Sequence, residues 1–101
     1  MNLRHAATLA LVGWYLMMPP QAKAPELHHM PDTNVALSKW YILGSYDSAE
    51  QCMDDLTKLS KQGYDRFGQD KMANPETKEQ ARAAQYTASH CIATDDPRLA
   101  K

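Results

Sequence analysis

The apolar positions of this chain fall in short runs divided by polar or proline-rich stretches. The first runs from Ala6 to Met18 (AATLALVGWYLMM) without a charge and stops at Pro19-Pro20. Proline removes a backbone donor and clashes with the preceding turn, so no helix continues there. The second, Lys39 to Tyr46 (KWYILGSY), is aromatic and aliphatic, a composition that predicts a strand buried on most of both faces. Trp14-Tyr15-Leu16-Met17-Met18 has the same character. Two such runs joined by a proline-rich link read as two paired strands. The link, 19–38, holds four of the six prolines and no sustained apolar period. It predicts an extended connector that touches down on the core at Val35 and Leu37.

The period then changes from two to between three and four. Asp47-Ser48-Ala49-Glu50 predicts a helix start, with Asp47 accepting from the free N–H groups of the first turn and Glu50 at the capping-box position. Ala49, Cys52, Met53, Leu56 and Leu59 form one core-facing stripe. Asp54, Asp55, Lys58 and Lys61 fall off it, with Asp54 and Lys58 as a supporting i,i+4 pair. Gly63 predicts the helix stop. Residues 64–74 are polar, with Tyr64, Phe67 and Met72 as anchors. Asn74-Pro75-Glu76 predicts a second helix, which strong helix formers carry to about Ala88. His90-Cys91-Ile92-Ala93-Thr94 reads as a last short strand, halted by Asp95-Asp96-Pro97. Strand, strand, helix, helix, strand is the order of an α+β fold: a small three-stranded sheet with two helices on one face.

Composition places this among globular chains: 44% hydrophobic and 23% charged over 101 residues, one small domain whose core is modest. The formal net charge of -1 and scattered basic residues argue against a nucleic-acid partner, because phosphate binding draws on clustered Lys and Arg. Arg4 ahead of the charge-free run is the export pattern, and the run is too short to span a bilayer. Residues 1–13 are therefore expected to be a signal peptide or N-terminal anchor, with 14–101 the folded domain and Trp14 near its start. Ala22-Lys23-Ala24 is a competing small-x-small cleavage site, disfavoured by Pro25. The location expected is periplasmic or secreted, or inner-membrane anchored if the N-terminus is uncleaved, which is also the only case of membrane contact.

Cys52 and Cys91 are the only cysteines. In an exported chain an even pair predicts a disulfide, whereas in the cytosol it would be two buried thiols. A bridge across that separation stabilises by roughly 3–4 kcal/mol. Cys52 lies on the apolar stripe, where a bridge on the core side can form.

Candidate chemistry is sparse. His28, His29 and Met30 are suitable ligands for a soft metal, but adjacent side chains diverge, and a solvated connector is the preferred reading. His90 with Asp95 and Asp96 could form a cation corner. The preferred reading is a strand-ending turn in which the carboxylates take local N–H bonds and Arg98 pairs with one of them. No serine sits in a Gly-x-Ser-x-Gly context, and no phosphate loop or HExxH occurs, so neither an enzyme nor a resident cofactor is expected.

Three blocks, WYLMMPP (14–20), LSKWYILGSYDSAEQC (37–52) and HCIATDDPRL (90–99), cover about a third of the chain. On these the chain resembles a family of short exported bacterial proteins to which no activity is assigned. It departs from that family in having no small-x-small site immediately before Trp14. The unit LGSYDSAEQC also faintly resembles part of a SPOR peptidoglycan-binding repeat. The resemblance implies export and a small domain, and no catalytic residue. The function expected is a binding or accessory module of the cell envelope, with an envelope protein or wall polymer as partner. The alternatives are a membrane-tethered accessory subunit and a metal-binding stress protein using His28, His29 and His90.

Overall fold

The structure, a computed structural model, describes residues 12–23 and 30–100. Most of the expected export segment, and both His28 and His29, lie outside them. The order is β1 (Trp14–Met18), β2 (Tyr41–Tyr46), α1 (Ala49–Ala73), α2 (Lys78–Thr87) and β3 (His90–Ala93), with 3-10 turns at Leu37–Lys39 and Pro97–Ala100. The architecture is α+β, with a three-stranded sheet, two helices and one disulfide, as the sequence pattern predicts. Among the described residues no helix is long and apolar enough to cross a membrane.

The sheet order is β2-β1-β3, and β1 runs antiparallel to both neighbours. WYLMM is thus the central strand, and Leu16, Met17 and Met18 are buried. The similar run in β2 has the opposite fate. Tyr41 and Ile42 are each 55% exposed, so the expectation that β2 is buried on both faces is incorrect. The cause is position: β1 has a strand on either side, whereas β2 is an edge. That edge is bulged, because Leu16 pairs with Gly44 while Met17 pairs with Ile42, leaving Leu43 without an opposite number. An extra residue twists an edge and disrupts further pairing.

Register assigns the two faces, since paired residues point the same way. Leu16 stands between Gly44 and Cys91, and Cys91 is bonded to Cys52 of α1, so this is the helix face. Met17 stands between Ile42 and His90 on the opposite face. Trp40 packs there with its ring edge-on to His90 at 5.6 Å, and its indole N–H donates to the Val35 carbonyl at 2.9 Å. Val35 and Leu37 line the same depression, which is the expected touch-down. The connector also turns back on itself: Gln21 and Pro31 form a bridge, with Ala22 N–H donating to Met30 and Asp32 N–H to Pro20.

Both helices begin a little later than expected, and in the same way. Ser48 caps α1, its hydroxyl accepting from Gln51 N–H, while the Gln51 amide oxygen accepts from Asp47 N–H. Thr77 caps α2, with Gln80 answering from the third position to Glu76 N–H. A side chain at the third position thus satisfies an N–H that the helix cannot. On α1, Cys52 is fully buried but Met53 is 48% exposed, so the core stripe is narrower than its spacing suggests. Asp54 and Lys58 do not pair; Lys61 and Asp65 do, at 2.6 Å.

Gly63 does not end α1. The helix passes through it and breaks at Gly68, where φ is 82° and ψ 165°, a region essentially restricted to glycine. In a straight helix nine residues span about 13 Å, yet a Cβ on Gly63 would lie 2.9 Å from Met72 Cε. The break therefore folds residues 69–73 back. Gly63 is kept small by the same crowding, with Ala83 of α2 at 3.3 Å from that Cβ position.

Candidate functional site

Two contacts set how the helices run. Cys52, near the start of α1, is joined to Cys91, just past the end of α2, while Gly63 meets Ala83 further along. The helices are therefore antiparallel. Phe67 comes level with Glu79, and Leu59 with Tyr86. Between them lies a groove of about 560 Å³, within the ordinary range for small-ligand sites. Leu59, Phe67, Ala83 and Tyr86 supply apolar lining, while Arg66, Lys78 and Arg82 add three cations against one carboxylate, Glu79. The ion pairs among the described residues are Lys61–Asp65, Lys71–Glu76 and Arg98–Asp96, so none of these three cations has a carboxylate within 4 Å.

The groove continues. A second depression, lined by Met18, Lys23, Tyr41 and Leu43, shares Gln21 and Arg82 with it. The floor where they meet is fixed by Gln85, only 3% exposed. Its amide N–H donates to the Pro19 carbonyl at 3.0 Å, and its oxygen accepts from Gln21 Nε2 at 3.1 Å. These bonds tie α2 to the end of β1 and satisfy polar groups that are costly to bury unpaired. Charge is segregated across the molecule. At the start of α1, Asp47, Asp54 and Asp55 surround Lys58 in a separate shallow cleft. There the Tyr46 hydroxyl donates to Asp55 at 2.8 Å; burial, then the Asp55 hydrogen bond and charge, push the phenol's pKa up.

The residues singled out from the sequence fare differently. Cys52 and Cys91 form the disulfide, with Cα atoms 6.1 Å apart. His90 sits exposed on β3 beside Trp40. Asp95 and Asp96 do lie in a turn after the last strand. Asp96 accepts from the Arg98 guanidinium at 2.8 and 3.0 Å and from its backbone N–H at 2.9 Å. The Arg98 side-chain hydrogen bond, followed by its backbone N–H, holds the Asp96 carboxyl down at about 2. Lys71 likewise lowers Glu76, first through its hydrogen bond. Among the described residues no three His, Cys, Asp or Glu side chains converge on a point that could hold a metal; His28 and His29 are not among them.

Sequence reasoning did not find the groove. The signal was present in part: Lys78 and Arg82 stand at i,i+4 on α2, but Arg66 joins them only through the tertiary pairing. Comparison with protein-family models, with curated proteins and with solved structures finds no match. The groove and the disulfide-linked α+β frame therefore carry the functional reading.

Proposed function

We propose that this protein is an exported, disulfide-stapled binding module of the bacterial cell envelope, which acts by holding a partner and not by converting a substrate. The observation that carries this reading is the α1–α2 groove, where three cations with no ion-pair partner among the described residues face one carboxylate on a chain of net charge -1. The disulfide supports the compartment, because such bonds persist chiefly in oxidising environments. The charged start and apolar run at 1–18, with the three blocks shared with exported proteins, support it further.

Intact-mass measurement of the full chain expressed in a bacterial host and recovered from the envelope fraction tests this. The reading expects a chain shortened at its N-terminus and lighter by the two hydrogens of one disulfide. A full-length chain with two thiols in the cytosol defeats it. A full-length chain with the disulfide, in the membrane fraction, would make it a tethered accessory subunit. For the binding role, immobilised wild-type protein is expected to retain an envelope component that an Arg66→Gln/Arg82→Gln variant loses.

A further inference from the structure

The groove's own dimensions narrow what it can hold. Leu59 to Phe67 and Lys78 to Tyr86 each cover about 12 Å of helix at 1.5 Å per residue. An extended peptide fits only about four residues into that length, far below the roughly 800 Å² per partner of an ordinary protein interface. Charge complementarity selects the sign of the occupant. Antiparallel packing also orders the lining along the groove. Arg66, Lys78 and Glu79 lie towards the Gly68 break, Arg82 and Ala83 near the middle, and Leu59 with Tyr86 at the sheet end.

We infer that this groove binds a small amphiphilic organic anion, with its carboxylate or phosphate head at Arg66, Lys78 and Arg82 and its apolar body along Ala83 towards Leu59 and Tyr86. This rests on the binding-module reading and names the ligand class for the same site. Guanidinium groups suit such a head because they offer paired donors to two oxygens of one anion. Apolar lining is what makes the body more than a passenger, since area removed from water drives its burial. Glu79 at the charged end disfavours a cationic head and a second negative charge placed beside it.

The test uses the oxidised, processed protein and isothermal titration with probes held below their micelle concentrations. Decanoate represents a chain-like body and 2-naphthoate a flat one; decanol and decyltrimethylammonium carry neutral and cationic heads. At least one carboxylate probe is expected to bind with 1:1 stoichiometry, tenfold or more tighter than decanol, with no saturable binding of the cation. Arg66→Gln/Arg82→Gln is expected to weaken that carboxylate at least tenfold without lowering Tm, since both arginines are exposed. Leu59→Gln is expected to weaken it too, while leaving head-group preference in place. Equal affinity for all heads, failure of both carboxylates to saturate, or carboxylate binding unchanged in the double arginine variant overturns the ligand class. Retention of an envelope component by the wild-type protein alone would leave the binding-module reading standing in any of those cases. Loss of that retention with intact carboxylate binding would remove the envelope-partner role and keep the ligand class.

Discussion

Replacing Cys52 and Cys91 together by alanine opens the one covalent link between α1 and β3. The bond closes a sequence separation of 39 residues. On the chain-entropy account, that closure removes about 13 cal/mol/K from the unfolded state, or about 4 kcal/mol at 25 °C. Cys52 is fully buried, so losing its sulfur leaves a small void that adds to the cost. A domain of this size has a total stability of only about 5–13 kcal/mol, so the loss is a large fraction of the whole. Urea denaturation followed by circular dichroism is expected to show the midpoint falling by about 2–4 M. Thermal melts are expected to fall by about 15–30 °C. Wild-type protein reduced with a phosphine keeps both sulfurs, and so separates loop closure from the void. A loss below about 1 kcal/mol in both the reduced and the alanine proteins would refute the staple argument.

The two interior glycines of α1 are expected to respond to alanine for opposite reasons. At Gly63 the new methyl meets the flexible end of Met72, and the gain in helix propensity offsets the crowding; Gly63→Ala is expected within about 1 kcal/mol of wild type, and Gly63→Leu to cost about 1–3 kcal/mol. At Gly68 nothing lies within 4 Å, so Gly68→Ala costs about 1–3 kcal/mol of backbone strain alone; a Gly68→Ala protein as stable as wild type in urea would contradict this. Met17 and Ile42 are direct register partners, but Met17→Ala is expected to cost about 2–5 kcal/mol and Ile42→Thr less than about 1 kcal/mol, because one is buried and the other half exposed; comparable losses would show that β2 is covered. Asp96 has its folded pKa depressed to about 2 by Arg98, so its contribution to stability is present above the usual 3.8 and is lost as pH falls through about 2. Carboxyl NMR titration is expected to give that midpoint, and Arg98→Gln to return it towards 3.8; an Asp96 midpoint near 3.8 in the wild-type protein would remove the pair.

Much of the fold is legible because its signals are local. Side-chain alternation and aromatic content mark β1, β2 and β3. Capping residues mark both helix starts to within a few positions, since Ser48 and Thr77 each accept from a free N–H three residues on. The order of elements and an even cysteine pair are enough to predict an α+β frame with a disulfide. The groove is much less legible. Lys78 and Arg82 are visible as a pair on one helix, whereas Arg66 reaches them only once α1 and α2 pack antiparallel.

The sequence by itself determined where strands and helices form, because propensity, period and caps act between residues a few positions apart. It also supplied two glycines without saying which would bend the chain. Only the tertiary structure decided that Gly68 breaks α1 while Gly63 is held small against Ala83, since that choice depends on what the opposing helix brings. It alone placed WYLMM in the centre of the sheet and YILGSY at the edge. Both runs are rich enough in apolar and aromatic residues to be buried. What separates them is the number of neighbours, and a β-strand acquires neighbours through contacts distant in sequence, which no local pattern encodes.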